Sequence, residues 1–432
     1  MRSPIKRHSP FTSLFVVFNY SWWRRLLVIF PVLVVIGLVV LTMWPNIGAI
    51  GAAWLRPLIG NQGVAALETA FFTVQDTVRQ WQYRLGLAQP TTPWAIPPPQ
   101  TPPPVLSIAT ITPTAPGIVP LPTIPPPIPL QTSATPAPTT TIAPTLTPTP
   151  AGWQLMPVPA LGSLTGEGQW VAYLYSPAGK VVAYRTFLQP DPERPFALAA
   201  VVAVDLAQTH LHFVLGTEEP GLPDGPRGYG RIPESDRQAD LLLATFNGGF
   251  QTTHGNFGAM ADGIVAVPAR DGFGTVAFYA DGTVLIGAWN EDILPGDDLV
   301  AWRQNGRLVV DDGMVNERVF NNSIADWGGT IDGDIVTWRS GLAMSADRQV
   351  LYYIAGPSLS MPVLAEVMLQ VGAANGILLD INASWVHFTA IQSEGEAGLI
   401  AEPLFAEGME TLVDRYLRPH SRDFFYVTLA QP

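Results

Sequence analysis

Apolar residues follow three different patterns along this chain. Residues 26–44, LLVIFPVLVVIGLVVLTMW, are an uncharged apolar run, long enough to cross a hydrocarbon core of roughly 30 Å as a helix. Val64, Leu67, Phe71, Val74, Val78, Trp81 and Leu85 then recur at alternating spacings of three and four. That heptad stripe predicts a helix over residues 61–86. Past residue 150 the apolar positions fall into short β-rich runs bounded by turn residues, such as VVAYRTFL, FALAAVVAVDL and LHFVLG. TVAFYADGTVLIGAW reads as a hairpin about Asp281-Gly282, a dipeptide that supplies positive φ angles. LAMSADRQVLYYIAG reads as a second hairpin.

One helix in this region is well punctuated. LSMPVLAEVMLQVGA carries Ser360 as N-cap, Pro362 in the first turn and Gly372 just past the end. The following run, GILLDINASWVHF, is an apolar strand that delivers Asp380 at its end. Strands dominate and helices are few, so the expected class is α+β, a strand-rich mixed sheet with a few packed helices. A parallel β-helix-β step is expected at residues 350–380.

These patterns divide the chain. Residues 1–25 are a basic tail with five Lys or Arg, and the next basic residue after the apolar run is Arg56. The positive-inside rule therefore puts the tail in the cytoplasm and the rest outside, with 26–44 as an uncleaved membrane helix. Trp22, Trp23 and Trp44 sit at its edges, where amphipathic rings favour the headgroup level. Residues 45–89 form a juxtamembrane helical segment. Its stripe reads first as a helix packed on its own domain or on the membrane; three heptads with bulky aromatics leave a short coiled coil that pairs anchored chains through residues 61–86 as the sharper alternative. Residues 90–150 hold twenty-one prolines, fifteen threonines and no charge. Such a segment buries no core and is expected to be a disordered, extended linker. Residues 151–432 are left as the folded domain.

Charge narrows the partners. The chain is 432 residues with a net charge of −12, but residues 151–432 carry fifteen basic and thirty-three acidic groups. So acidic a domain lacks the basic face that nucleic acid requires, so nucleic acid is excluded as a partner. The chain has no Cys, which removes disulfides, thiolate nucleophiles and Cys-ligated zinc. No cofactor is required. A divalent cation such as Ca²⁺ is compatible with the acidic pairs at Asp311-Asp312 and residues 332–334, although neither has EF-hand spacing and solvated turns explain both.

The stretch LLATFNGGFQTTHGNFGAMADGIV, residues 241–264, ends an apolar run in Asn-Gly-Gly-Phe. Either it is an elaborate turn, or the backbone comes close to something bound. With WRSGLAMSADRQVLYYIAG (338–356), LAEVMLQVGAANGILLD (364–380) and the polar run after Asp380, it resembles the phosphodiester glycosidase family, closest to a bacterial membrane-anchored branch. The order of these elements carries the resemblance over about residues 240–390. The family pattern Leu-Asp-Gly-Gly-Gly-Ser is LDINAS here: Asp380 and Ser384 match, while Ile381, Asn382 and Ala383 replace glycines. A Glu expected early in the preceding helix is Val363.

The resemblance implies an extracytoplasmic hydrolase acting on a glycosyl phosphodiester of an envelope polymer or glycolipid. Cleaving that bond needs a phosphate-holding group and a carboxylate near the anomeric carbon. Asp380, Arg339 and His254 are the catalytic candidates; Asn247, Gly248, Gly249, Asn382 and Ser384 are the candidates for binding carbohydrate. Each has a plain structural alternative. Arg339 also fits a strand edge, Asp380 a backbone cap, Asn247 a turn and His254 an ordinary loop. His387 is expected to turn away, into core or surface, and Glu366 to lie on the exposed side of its helix. The opposing reading is a silent carbohydrate-binding or structural envelope protein on a stalk.

Overall fold

The computed structural model describes residues 45–95, 153–320, 327, 335–381, 383–393, 399–405, 409 and 412–430. The expected membrane span at 26–44, the basic tail, nearly all of the Pro/Thr segment from residue 96 onward, residues 332–334 and Asn382 lie outside them. No helix among the described residues is long and apolar enough to cross a membrane.

Helix α1 spans Pro45–Arg84. Among the described residues eighteen strands follow in chain order, the first nine being β1 Val171–Tyr175, β2 Val181–Leu188, β3 Ala199–Asp205, β4 Thr209–Val214, β5 Leu242–Asn247, β6 Ala259–Ala261, β7 Ile264–Val267, β8 Gly274–Tyr279 and β9 Val284–Ala288. The remainder are β10 Leu299–Gln304, β11 Leu308–Asp311, β12 Met314–Val315, β13 Thr337–Ser345, β14 Val350–Leu359, β15 Ala373–Leu378, β16 Phe388–Ser393, β17 Leu399–Pro403 and β18 Phe424–Leu429. Helix α2, Met361–Gln370, lies between β14 and β15.

Three sheets result: an eight-stranded sheet in the order β1-β2-β3-β14-β13-β15-β11-β12, and five-stranded sheets β17-β16-β5-β18-β4 and β7-β6-β10-β8-β9. The ladders between named strands run antiparallel. β14 and β15 each pair antiparallel with β13, so they run parallel to one another with β13 between them. The β-helix-β step is therefore present, but it skips one strand. β8 and β9 form the expected hairpin, with Gly282 at φ 87°.

Local chemistry sets the α2 crossover. The Ser360 hydroxyl accepts from the Val363 amide, Pro362 stands in the first turn, and Gly372 leaves the helix at φ 83°. α2 seats Met368 in a notch made by two glycines on neighbouring strands. A Cβ on Gly341 would meet the Met368 methyl at 2.4 Å, and one on Gly376 would meet its sulfur at 2.6 Å. Glu366 is exposed, as expected.

The opposite face of the large sheet meets the sheet containing β5 and β18. Aromatic rings run from one to the next: Tyr353 to Phe246 at 5.1 Å, Phe246 to Phe425 at 5.2 Å, and Phe425 to Phe278 of the third sheet at 6.3 Å. Offset and tilted aromatic pairs contribute about 0.5–1.5 kcal/mol each beyond burial. This column holds all three sheets about one core.

The last turns of α1 are docked on this domain. Asp76 receives Arg194 through Nε and Nη2 at 2.9–3.0 Å, Arg79 donates to the Ser358 hydroxyl at 3.1 Å, and Tyr83 stacks on Phe196 at 4.6 Å. Asp76, Arg79 and Tyr83 share one helix face. Further on, Trp94 packs edge-on against Phe187 at 5.8 Å, and the Arg185 guanidinium lies between Trp94 and Tyr173 at 4.5 and 4.3 Å. The reading of this helix as packed on its own domain therefore holds for one face, and the Pro/Thr segment begins from a residue already seated on that domain. Tyr83→Ala is expected to release the end of α1. Hydrogen exchange should show faster exchange across residues 71–84 with unchanged protection of β3, β13 and β14, a local loss of about 1 kcal/mol.

Candidate functional site

Asp380 lies two residues beyond β15. Backbone bonds from Leu379 to the Ser340 carbonyl and from Ser340 to the Asp380 carbonyl, both 2.8 Å, carry the pairing with β13 up to it. Its carboxylate is buried. Oδ1 accepts from the Ile381 amide at 2.8 Å and Oδ2 from Arg422 Nη2 at 2.8 Å. The Ser340 hydroxyl accepts from the Asp380 amide at 3.2 Å and from Asn247 Nδ2 at 3.0 Å. Asn247, the last residue of β5, accepts at Oδ1 from the Tyr353 hydroxyl at 2.9 Å and from the His387 amide at 3.1 Å. Asn247 and Asp380 are thus brought together through one shared hydroxyl.

A second ion pair stands behind the first. Arg303 on β10 donates from Nε to Asp423 Oδ2 at 2.6 Å and from Nη2 to the Phe250 carbonyl at 2.6 Å. Asn305 donates to the carbonyls of Leu378 and Leu379 at 2.6 and 2.7 Å, and accepts from the Phe250 amide at 2.9 Å. Arg422 also donates to the Gly249 carbonyl at 2.6 Å, and its guanidinium lies 4.3 Å over Trp385. Buried charges of this kind persist only when paired and fully hydrogen-bonded.

This geometry explains the two glycines. Neither Gly248 nor Gly249 adopts positive φ, so left-handed backbone is not what they supply. A Cβ on Gly248 would lie 2.3 Å from Asp423 Oδ2, and one on Gly249 would lie 2.9 Å from both Arg303 Nη2 and Asn305 Oδ1. The Gly249 amide instead donates to Asp423 Oδ2 at 3.1 Å. The close approach is to the protein's own charged groups.

Burial raises the Asp380 pKa, opposed by the Arg422 cation and the Ile381 amide. A carboxyl held toward neutrality beside a guanidinium suits proton transfer. His387, on the neighbouring turn, is pushed down to about 3 by burial, with Arg415 and His420 adding repulsion. Its Nε2 meets the Thr389 hydroxyl at 2.7 Å, so it is a neutral core histidine. His420 is also lowered by burial.

The expected residues separate. Asn247, Gly248, Gly249 and Asp380 converge. Ser384 is buried nearby, its carbonyl accepting from Arg415 at 2.9 Å. Arg339 does not take the place expected for it beside Asp380. It precedes Ser340 on β13, and alternation turns its side chain to the α2 side of the sheet. There its guanidinium donates to the carbonyls of Leu359 and Ile335, both at 2.8 Å. His254 ends a single helical turn, edge-on to Phe250 at 6.2 Å, and so is one residue removed from the charged cluster. Asn382 lies outside the described residues. Among those residues no three His, Asp or Glu side chains gather closely enough to hold a metal.

Ser340, Arg303, Asn305, Arg422 and Asp423 are the residues that sequence reasoning passed over. The available signal was RD immediately before the apolar run FFYVTL, the same logic of charge at a strand end that singled out Asp380. A cleft of about 840 Å³ lies elsewhere, along β4 beside the β6–β7 turn and the β8–β9 hairpin. It carries no Arg or Lys, and the charged cluster is the better candidate site because it holds the paired carboxylate and cation.

No family model matches this chain, and a comparison with curated proteins finds no match. Among solved structures, it is similar to the catalytic domain of zebrafish N-acetylglucosamine-1-phosphodiester alpha-N-acetylglucosaminidase, auto-inhibited by its pro-peptide. The identity is 13%, the TM-score 0.38, and the match covers 60% of this chain and 87% of that one. A hypothetical protein from Synechocystis is similar at 12% identity and a TM-score of 0.27, covering 54% of this chain and 59% of that one. Both likenesses are distant, and neither assigns a residue.

Two outcomes test this description. Arg303→Met should strand Asp423 as an unpaired buried charge and cost about 3–5 kcal/mol in urea unfolding. The second concerns pH. A histidine depressed in the fold stays neutral there while the unfolded chain takes up its proton. The stabilisation is therefore full above the ordinary pKa of 6.5 and is lost as pH falls toward about 3. Between pH 6.5 and 5, His387 should account for about 2 kcal/mol of lost stability. His387→Gln should flatten that part of the profile in chemical unfolding.

Proposed function

We propose that the folded domain hydrolyses a glycosyl phosphodiester of an envelope polymer or glycolipid, held outside the membrane by residues 26–44. The observation that carries the reading is the buried contact between Asp380 and Arg422, with Asn247, Gly248 and Gly249 at its side. Arg422 takes the phosphate-holding role first considered for Arg339, since its planar fork of donors matches phosphoryl oxygens. Asp380 acts at the anomeric carbon. Water adds to that carbon, its proton passes to the Asp380 carboxylate, and the carbon–oxygen bond breaks with its electron pair leaving on the phosphate. A phosphate leaves readily, so the scheme requires little from a separate acid such as His254.

One observation favours the alternative, a silent carbohydrate-binding module. Both Asp380 oxygens already have protein partners, and Ile381 is buried where the family pattern has glycine. The two readings part in a single experiment. The full chain in detergent is offered a panel of sugar-1-phosphodiesters, with phosphate-ester release and glycan binding measured in parallel. Turnover that falls about 10²–10⁴-fold in Asp380→Asn, with Glu366→Gln unchanged, supports the hydrolase. Saturable binding with no turnover, or turnover that survives Asp380→Asn, overturns it.

A further inference from the structure

The ion pair, hydrogen bond and ring stack that dock α1 on the domain come from outside its heptad stripe. Written as a heptad, Val64, Phe71, Val78 and Leu85 take the a positions, and Leu67, Val74 and Trp81 the d positions. Asp76, Arg79 and Tyr83, which hold the domain, fall at b and f, on the far side of the helix. Most of the seam is bare: Leu67 is 53% exposed, Val74 43%, Val78 48%, Trp81 58% and Leu85 63%, while Phe71 is half-buried and Val64, at the N-terminal end of the stripe, is buried. A helix already held by its domain on one side thus presents a second, apolar side to solvent, which is costly unless covered.

We propose that this seam pairs with the same seam of a second copy, as a parallel two-stranded coiled coil. Three features select that occupant. The spacing alternates three and four without a break from Val64 to Leu85, the period that keeps a seam facing a partner helix. The flanking e and g positions that would meet across a parallel pair, Ala70 with Gln75 and Thr77 with Gln82, are uncharged, so two identical chains do not repel. The chain before α1 comprises residues 1–44 and ends in the apolar run 26–44, directly at Pro45. On the topology proposed above, that run holds both copies in one membrane with their helices leaving on the same side. Dimerisation needs no rearrangement of the domain, because the docked face points away from the seam. It rests on the topology but not on the proposed chemistry.

The chain has no Cys, so single-cysteine variants report without background. Full-length Val74→Cys and Val78→Cys place a thiol on the seam; Thr73→Cys places one on the exposed c position. In phosphatidylcholine vesicles under mild oxidation, both seam variants should form disulfide dimers at least about fivefold more than Thr73→Cys, since symmetric a and d residues approach within disulfide range and c residues do not. Equal or absent crosslinking at all three overturns the proposal. Seam thiols that resist aqueous maleimide without crosslinking also overturn it, and place the face against lipid. Independently, the full chain in dodecylmaltoside should have twice the 46.6 kDa mass of one chain, and Val74→Glu with Val78→Glu should return it to one chain while the domain melts unchanged. A wild-type monomer in the same detergent contradicts the pairing.

Discussion

Two adjacent residues, Arg422 and Asp423, tie the domain together. Arg422 reaches Asp380 at the end of the eight-stranded sheet, and Asp423 receives Arg303 from the third sheet, while both precede a strand of the second. Opposite charges in neighbouring positions thus point to different sheets. Each pair is buried, and each leaves spare donors that backbone carbonyls accept. Breaking one ion pair in such a place removes more than its own attraction, because the remaining charge has no water to turn to. Asn305 adds a neutral strap, joining Phe250 to the carbonyls of Leu378 and Leu379. The aromatic column and the aliphatic residues around it supply apolar burial, which is non-directional. The polar knot fixes how the three sheets register.

That knot also fixes why the Asn-Gly-Gly-Phe element is built as it is. Asn247 uses its whole amide on Ser340, Gly248, Tyr353 and His387. The glycines leave room for Asp423, Arg303 and Asn305, and the Phe250 carbonyl and amide complete the cradle. On the proposed function, structural and chemical demands fall on the same few residues. Asp380, the group that the proposed function puts to chemical use, belongs to an ion-pair network that the fold needs in any case.

What could be read from the sequence was local. The Ser360 cap, the Gly372 stop and the Asp281-Gly282 hairpin depend on a few consecutive residues, and each is where the pattern put it. Asp380 was legible because a carboxylate ending an apolar run is expensive unless used. Arg339 misled because strand alternation decides its face, and nothing in Trp-Arg-Ser says whether the Arg or the Ser turns inward. The order of strands was not legible, since it depends on which distant apolar faces meet. Arg422 was missed because a charged pair in a turn ordinarily reads as solvated surface. The stripe on α1 was read as a helix, yet only the folded structure separates the face that binds the domain from the face that is mostly exposed.

The docking of α1 has a geometric consequence. Its forty residues correspond to about 60 Å of rise, while the ion pair, hydrogen bond and ring stack that fix it to the domain fall at Asp76, Arg79 and Tyr83, close to the C-terminal end. The helix is therefore a drive shaft rather than a tether. Each residue inserted upstream of Asp76 would advance the domain by about 1.5 Å and rotate it by about 100° about the helix axis. The direction in which the Asp380 cluster faces is then set by the phase of the helix, counted in residues from Pro45, and not by the length or composition of the proline-rich segment that follows it.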